Sequence, residues 1–596
     1  MSDYAAPLAD MRFALKEVVG LADIAALPGC EQAAPDLVDQ VLDEAAKLAG
    51  DVIAPLNAIG DRERSRLENG VVRTPSGFGD AYRSYVEGGW NSLPFDPGYG
   101  GQGLPQVVST AVLEMWTSAN MAFSLCPLLT IGAVELLQAH GSPEQKQTYL
   151  PKMISGEWTG TMNLTEPQAG SDVGALRTRA VKKGDHYEIT GQKIFITYGD
   201  HDMAANIVHM VLARLPDAPA GTRGISLFIV PKRLVNPDGS LGQMNDLRPV
   251  SLEHKLGIHG SPTCVMAYGD RGGAVGYLVG EPNRGMEYMF TMMNNARLNV
   301  GLQGVAIAER AYQQARDFAR VRVQGRPVGA RTDGPLPIIH HADVRRMLLD
   351  MRACTEAARA LTYYVAACID RARHHPDAEE RQRQQRRVDL LIPVVKAWCT
   401  DIGVEVASTG VQVHGGMGYI EETGAAQHLR DARIAPIYEG TNGIQANDLV
   451  ARKIARDMGR AAKELAAEIG TFNDELQRTS TEDVALIRDE FPFCLEAMRR
   501  AAEWVALSTV DHMPRVLAGA VPYLRLVATV TSGWLLAKGV LAARQALTQG
   551  RGNPRFLEAK LLTARFFVEH RLTIVRSLFP AISGGDTVLN FDPDLL

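Results

Sequence analysis

The chain has 596 residues, 46% apolar and 22% charged, a composition typical of folded globular proteins, which excludes extensive disorder. Its formal net charge is −6, and acidic and basic residues alternate along most of the chain, so a nucleic-acid partner is disfavoured. Because one hydrophobic core stops growing at about 250 to 300 residues, several domains are expected.

Two features of the sequence bear on the cellular compartment. The seven cysteines are far apart, odd in number and without CxxC spacing, which favours a reducing environment. The N-terminus reaches Asp3 and Asp10 before any apolar run and has no basic segment, so it does not resemble a signal peptide. We therefore expect a cytoplasmic protein.

The first part of the chain predicts a helical domain followed by a β domain. Within residues 1–158, apolar residues recur at helical spacing on both sides of a glycine-rich segment. Within residues 159–282 the pattern changes to short apolar and β-branched runs, and YEIT and KIFIT flank Gly191 and Gln192 in the manner of a β-hairpin. The sequence therefore predicts a helical N-terminal domain and a middle β domain.

The second part of the chain predicts only helices. Residues 283–458 contain three long periodic segments, which indicate a helical bundle, and a charged run at 371–387 suits a solvated face or loop. Residues 459–596 continue with amphipathic patterns and are predicted to form an additional helical extension. The most apolar stretch of this extension, 526–537, is shorter than the ~20 residues that span a bilayer, so we interpret it as a buried helix.

Two common kinds of cofactor site are not indicated. No GxGxxG segment opens a helix after a strand, so the usual dinucleotide-binding fold is not expected. The adjacent histidine pairs at 340–341 and 374–375 lack carboxylates or cysteines at ligand intervals, so no metal site is expected.

Four segments in a fixed order carry the strongest signal: MNLTEPQAGSDVGALRTRA from Met162, GQKIFITYGD from Gly191, VQVHGGMGYI from Val411 and RDARIAPIYEGTNGIQ from Arg430. Through them, residues 4–456 resemble the acyl-CoA dehydrogenase family. The N-terminal segment and the long C-terminal extension are similar to those of the bacterial methylthiopropionyl-CoA dehydrogenase branch of that family. The resemblance implies a mostly α fold with a helical N-terminal domain, a β-barrel-like middle domain, a four-helix-bundle domain and the helical extension.

The resemblance also implies an activity. FAD is the implied cofactor, an acyl-CoA thioester is converted to its trans-2-enoyl-CoA, electron-transferring flavoprotein accepts the electrons, and the protein is a homodimer. Because an α-hydrogen of a thioester is only weakly acidic, its removal needs a general base, and the hydride that leaves Cβ needs an acceptor.

The family's catalytic base matches Glu439, in the segment Tyr-Glu-Gly-Thr. The pKa of this carboxyl is expected to rise when an acyl chain and a flavin displace water from it. Gly440, beside it, lets the backbone approach the thioester closely and is assigned to substrate binding. Some relatives carry the base at the position of Ala296, which has no carboxylate. Outside the matched segment, a lone glutamate such as Glu439 is most often an exposed turn residue.

The resemblance assigns further positions to the cofactor and the substrate. Ser171 and Arg297 match positions that contact the acyl-CoA, although a helix-capping or an ion-paired role explains an arginine at 297 equally well. Phe195 stands where many relatives have Trp, and Gln427 stands where the pattern commonly has Lys or Arg. The implied FAD-binding residues are Leu164, Thr165, Ser171, Phe195 and Thr197 for the ring, Arg322, Gln412, Gly415 and Gly416 for the pyrophosphate and adenine end, and Thr441 and Gly443 after the base.

Two rival functions stay open at this point. An acyl-CoA oxidase uses the same chemistry but lets dioxygen reach the reduced flavin. A DNA-associated homologue keeps the fold and needs a basic surface. The extension supplies basic residues for such a surface, namely Arg544, Arg551, Arg555, Lys560, Arg565, Arg571 and Arg576.

Overall fold

The protein divides into two compact units in the computed structural model, which describes residues 4–329, 334–479 and 481–595. Unit 1 comprises Met1–Glu44, Pro105–Glu114 and Arg297–Leu596. Unit 2 comprises Ala45–Leu104 and Met115–Ala296.

The N-terminal part of the chain is mostly helical, as its apolar periodicity predicted. Its α-helices are α1 Leu8–Phe13, α2 Leu21–Ala25, α3 Pro35–Lys47, α4 Leu56–Glu63, α5 Phe78–Glu87, α6 Gln106–Ala119, α7 Met121–His140 and α8 Pro143–Ile154. Local capping fixes where two of them begin. The Asn120 side chain accepts a hydrogen bond from the Phe123 N–H at 3.1 Å before α7, and Ser142 and Gln145 form a capping box at the start of α8.

The β-structure belongs to unit 2, with two short strands in the N-terminal part of the chain and the other described strands in its middle part. The strands are β1 Arg66–Glu68, β2 Val71–Arg73, β3 Trp158–Asn163, β4 Arg179–Lys183, β5 His186–Thr197, β6 Asn206–Arg214, β7 Ile225–Pro231, β8 Arg233–Val235, β9 Leu241–Met244, β10 Leu247–Leu252, β11 Thr263–Tyr268 and β12 Ala274–Leu278. The main sheet has the order β10-β11-β5-β12-β7-β6-β3. Because β4 pairs with both β5 and β6, the strands β5, β12, β7, β6 and β4 close into a small barrel.

The predicted hairpin at Gly191 and Gln192 is wrong, because β5 runs without a turn from His186 to Thr197. Its first half pairs with β4 and β12, and from Gly191 onward it pairs with β11. A Cβ at Gly191 would lie 2.6 Å from the Thr178 hydroxyl. The glycine therefore serves the close passage of two backbones where the strand changes partner, and not a reversal of the chain.

A bundle of long helices follows in unit 1. The helices are α9 Gly285–Val321, of which unit 1 includes the part from Arg297, α10 Ala342–His374, α11 Ala378–His414, α12 Ala425–Ala432 and α13 Asn442–Asp448. Glycines let α9 and α11 cross closely. A Cβ at Gly304 would lie 2.0 Å from the Cys399 carbonyl oxygen, and one at Gly403 would lie 2.8 Å from the Gly304 Cα. This crossing brings the helix segments that carry Arg297 and Lys396 side by side.

The C-terminal extension is helical, as predicted. The short α14 Ala455–Asp457 precedes it, and its α-helices are α15 Arg460–Gln477, α16 Glu482–Asp511, α17 Met513–Ala518, α18 Ala520–Thr548, α19 Pro554–His570, α20 Val575–Ser583 and α21 Asp586–Leu589. The central helix α18 packs against α10, α11, α13, α16, α19 and α20. The stretch 526–537 lies within α18 and is almost wholly buried, which confirms its interpretation as a core helix.

Two of the described helices, α7 and α18, are long and apolar enough to cross a membrane. In their most apolar windows, 89% and 78% of the residues, respectively, are buried inside the protein. Core helices of globular proteins have the same length and composition.

Candidate active site

Glu439 lies in the turn that leads from α12 into α13, on a backbone that most residues avoid. Its φ is +59°, and that of the following Gly440 is +85°. Gln445 is fully buried, and its side-chain amide donates hydrogen bonds to the carbonyl oxygens of Glu439 at 3.2 Å and Gly440 at 3.3 Å. Left-handed backbone at a residue other than glycine costs about 1 to 3 kcal/mol and is concentrated at functional sites.

The residues after Glu439 begin α13. The Thr441 hydroxyl caps this helix by accepting a hydrogen bond from the Ile444 N–H at 3.3 Å, and Gly443 lies in its first turn. A Cβ at Gly440 would lie 2.7 Å from the Gln445 Nε2. The turn therefore needs a glycine at 440, and the cap at Thr441 fixes where the turn ends.

Two cationic side chains act on the Glu439 carboxylate. Arg297 is buried on α9, with Nη1 3.7 Å from the Asp448 Oδ2, and Lys396 is fully buried on α11. Glu439 itself is half-buried. Removal from water raises the pKa of Glu439 to about 7, and the positive charges of Arg297 and Lys396 oppose this rise. A carboxyl with a pKa near 7 is suited to accept a proton at neutral pH.

The first and second motifs meet through backbone and side-chain bonds in unit 2. Leu164 and Thr165 directly follow β3, and the Ile194 N–H of β5 donates to the Thr165 carbonyl oxygen at 2.9 Å. The neighbouring Phe195 has a φ of +59° and leaves 58% of its surface exposed, and Thr197 ends the strand. These four predicted flavin residues therefore lie together, whereas Ser171 lies farther along the chain on an exposed turn.

A buried ion pair supports this group of residues and was not singled out from the sequence. Lys193 has no exposed surface, and its Nζ donates to the Leu164 carbonyl oxygen at 2.9 Å and to the Glu166 carboxylate at 2.8 Å. Glu166 also accepts hydrogen bonds from the Thr178 hydroxyl at 2.6 Å and the Arg177 N–H at 2.6 Å. The only sequence signal for the pair was that both residues stand inside matched motifs.

The residues assigned to the far end of FAD lie in unit 1, where α9 and α11 end. Arg322 is exposed directly after α9, and Gln412 is exposed in the last turn of α11. Phe318 stacks on His414 with ring centroids 4.4 Å apart, which holds the two helix ends together. Gly415 and Gly416 follow α11, and a Cβ at either would meet no atom within 4 Å, so a ligand has room beside this backbone.

The structure shows the surroundings of two residues, Gln427 and Ala296, that differ from what some family members carry at these positions. Gln427 is buried in α12, where its amide donates to the Asp431 carboxylate at 3.3 Å. Ala296 is buried on α9 directly before Arg297. Gln427 is therefore part of the packing of α12, and Ala296 offers no carboxylate for catalysis.

Four family models match consecutive parts of the chain. They are described as acyl-CoA dehydrogenase N-terminal domain (residues 38–157), middle domain (161–270) and C-terminal domain (283–454), and acetyl-CoA dehydrogenase C-terminal like (456–592). Together they span the helical, β, bundle and extension parts of the chain in that order.

Full-length relatives show the same pattern. The chain is 49% identical to 3-methylmercaptopropionyl-CoA dehydrogenase of Ruegeria pomeroyi, covering 98% of this chain and 99% of that protein. It is 35% identical to a butyryl-CoA dehydrogenase of Syntrophomonas wolfei, covering 98% of each. Among solved structures, an acyl-CoA dehydrogenase from Bacillus anthracis complexed with FAD matches with a TM-score of 0.73 at 21% identity, covering 98% of this chain and 92% of that one. At 21% identity this structural match shows the fold alone.

Proposed function

The chain belongs to the acyl-CoA dehydrogenase family of oxidoreductases, and from that membership we propose that it converts an acyl-CoA thioester to the trans-2-enoyl-CoA with Glu439 as the general base. The predicted fold class is that of the family. The observation that carries the assignment of the base is the pKa of Glu439, raised to about 7 in a turn with left-handed backbone.

The reaction removes a proton from Cα and a hydride from Cβ. The ionised Glu439 carboxylate takes the α-proton and becomes the neutral acid, which its half-buried position favours. FAD, the cofactor of the family, would supply the hydride acceptor for Cβ when it is bound. Arg297, near the carboxylate, adds positive charge beside the site where the thioester becomes an enolate.

The residues of this chain fit FAD. Phe195 presents an exposed aromatic ring from a strand whose neighbours Lys193 and Ile196 are buried, and this ring offers a flat apolar surface to an isoalloxazine. Leu164 and Thr165, linked to β5 through the Ile194 N–H, and Thr197 at the end of β5 would hold the ring and its polar edge. The exposed guanidinium of Arg322 suits a pyrophosphate, and the remaining proposed contacts to that end of the cofactor are Gln412, Gly415, Gly416, Thr441 and Gly443.

The relatives and the family support a proposal for the substrate and the electron acceptor. Full-length relatives are named for 3-methylmercaptopropionyl-CoA and butyryl-CoA, so we propose a short acyl chain, with or without a thioether, as the substrate. Ser171 and Gly440 would contact the acyl-CoA. We also propose a cytoplasmic homodimer that passes its electrons to electron-transferring flavoprotein.

The test is turnover of an acyl-CoA panel with an artificial electron acceptor. We expect Glu439→Gln to lower turnover by about 10²- to 10⁴-fold, because the amide keeps the shape of the side chain but cannot take the proton. Flavin absorbance and binding of a non-reactive acyl-CoA analogue should stay at wild-type values. The matched control is Glu422→Gln, the same change at an exposed glutamate before α12, which should keep wild-type turnover. Near-normal turnover of Glu439→Gln would remove the assignment of the base.

Two experiments separate the proposal from its rivals. Rapid peroxide formation after reduction in air would identify an oxidase. A gel shift at low salt would identify a DNA-associated homologue, because phosphate contacts are strongest there. We expect neither. Several basic side chains that the DNA alternative requires are already paired with carboxylates, namely Lys560 with Glu356, Arg565 with Glu569, Arg571 with Glu405 and Arg576 with Glu490.

A further inference from the structure

Lys396 is a fully buried lysine that the reaction described above does not use. It lies in the apolar segment LLIPVVKAWC of α11, and none of its surface is exposed. Burial lowers its pKa to about 7, and the negative charges of Glu439 and Asp401 oppose that shift. Keeping an ammonium group away from water costs several kcal/mol, so a lysine at this position is energetically unfavourable. A methionine would fill similar space without that cost.

The ammonium group of Lys396 fixes the start of α13. Its Nζ donates to the Asn442 side-chain oxygen at 2.9 Å. The Asn442 side-chain nitrogen in turn donates to α11, at the Ala397 carbonyl oxygen at 3.0 Å and the Asp401 carboxylate at 2.7 Å. Asn442 is the first residue of α13 and stands three positions after Glu439. Lys396 and Asn442 therefore clamp the turn that carries the base onto α11.

The charge of Lys396 also acts on the base directly. The cations that lower the pKa of Glu439 are Arg297 on α9 and Lys396 on α11. Arg297 has the carboxylate of Asp448 at 3.7 Å, which offsets its charge, whereas Lys396 is hydrogen-bonded to a neutral amide. The groups that act on Lys396 are Glu439, Asp401 and Arg297. Arg297 has the larger effect of the two on the pKa of Glu439, and Lys396 is the one that also bonds to the turn carrying Glu439, through Asn442.

We propose that Lys396 is a positioning residue for the general base, which clamps the Glu439 turn through Asn442 and adds a positive charge that favours the ionised carboxylate of Glu439. This inference rests on the proposed function of Glu439. A base must be ionised before it can take a proton, and burial alone drives it towards the neutral form. The positive charge on α11 allows the carboxylate to be both withdrawn from water and ready to react.

The test is Lys396→Met in the FAD-loaded enzyme. Loss of a positive charge raises the pKa of the neighbouring carboxyl, so the acid limb of the pH profile of kcat/KM should move to higher pH by about one unit. At a pH about one unit below the wild-type limb, kcat/KM should therefore fall by about tenfold. Well above the limb only the smaller loss from the weakened clamp should remain, because Asn442 keeps its own bonds to α11. The readout that does not depend on turnover is the infrared carboxylate band that Glu439→Gln removes, whose titration midpoint should move by the same amount.

Three further variants separate charge from packing. Asn442→Ala loosens the clamp but keeps the charge, so kcat should fall at every pH while the acid limb stays in place. Lys560→Met removes another buried lysine of unit 1, paired with Asp10 and Glu356, and should leave the limb unmoved. Lys396→Gln keeps an amide donor without the charge and should move the acid limb by the same amount. It provides the test if Lys396→Met does not fold.

An acid limb and an infrared midpoint that stay at the wild-type pH in both Lys396→Met and Lys396→Gln would overturn the inference. Failure of the proposed function gives a different result. In that case Glu439→Gln itself retains turnover, whatever the Lys396 variants do.

Discussion

Glu166 in unit 2 and Glu439 in unit 1 each stand near a fully buried lysine, yet their acidities differ widely. Glu166 is 3% exposed and accepts close hydrogen bonds from Lys193, Thr178 and Arg177, which bring its pKa to about 2 despite burial. Glu439 is the more exposed of the two, and the pKa of its carboxyl is raised to about 7. The positive charges near Glu439 reduce this rise but do not cancel it.

The difference lies in the donors that surround the charged form. Donors aimed at a carboxylate stabilise its ionised state, whereas removal from water favours the neutral acid. Glu166 is ionised near neutral pH and holds Leu164 of the first motif in place through Lys193, whose pKa of about 8 keeps it charged there as well. Glu439 can exchange a proton. Residue type alone therefore does not separate a glutamate that stays ionised from one that can exchange a proton near neutral pH, but the set of donors does.

The largest effect on stability is expected from Glu166→Gln. This change leaves the ammonium of Lys193 buried without its counter-charge, and the free energy of unfolding should fall by about 3 to 5 kcal/mol. Urea unfolding at neutral pH, monitored by circular dichroism, measures it. The double variant Lys193→Met with Glu166→Leu removes both charges and should recover most of the loss. A loss below about 1 kcal/mol would mean that the pair is not the anchor of the motif.

The same pair gives a pH dependence with a defined sign. The pKa of Glu166 in the folded protein, about 2, is below the 4.5 of an unperturbed glutamate. The stabilisation from this carboxylate is therefore fully present above about pH 4.5 and is lost as the pH falls towards 2. The difference in unfolding free energy between wild type and Glu166→Gln should shrink over that window. A constant difference would contradict the depressed pKa.

The turn that holds the base should tolerate little change in its backbone. Gly440→Ala puts a Cβ on a residue with φ of +85° and 2.7 Å from the Gln445 amide, so we expect a loss of about 1 to 3 kcal/mol of stability together with lower turnover. Thermal unfolding and the acyl-CoA assay measure both. Gly79→Ala in α5 is the matched control, because a Cβ there meets no atom within 4 Å. It should leave stability unchanged or raise it slightly. Equal effects at Gly440 and Gly79 would show that the turn is not strained.

Sequence patterns and the motif resemblance were sufficient for the order of the domains, and the choice of Glu439 as the base stays a prediction. They failed at Gly191, because a glycine that allows two strands to pass closely has the same local signature as a glycine in a turn. Lys396 escaped notice for a different reason. The segment LLIPVVKAWC indicates only an apolar helix, and the partner that gives the lysine its role, Asn442, lies 46 residues away. Contacts at such separation depend on how α11 and α13 pack, which periodicity does not show.

The smallest expected effect is a change in unfolding free energy, and its sign differs between Glu439 and Glu166. Because burial raises the pKa of Glu439 from 4.5 to about 7, its ionisation costs stability, and this cost grows as the pH rises from about 4.5 through 7. Glu439→Gln should therefore stabilise the protein at pH 8, by about 1 kcal/mol because partial exposure screens the charge, and should have no effect near pH 4.5. Paired denaturant titrations at the two pH values, with Glu422→Gln as the control, measure it. If Glu439→Gln instead destabilised the protein at pH 8, the Glu439 carboxylate would be stabilised by hydrogen-bond donors, as that of Glu166 is. The proposed reaction would then lack its base.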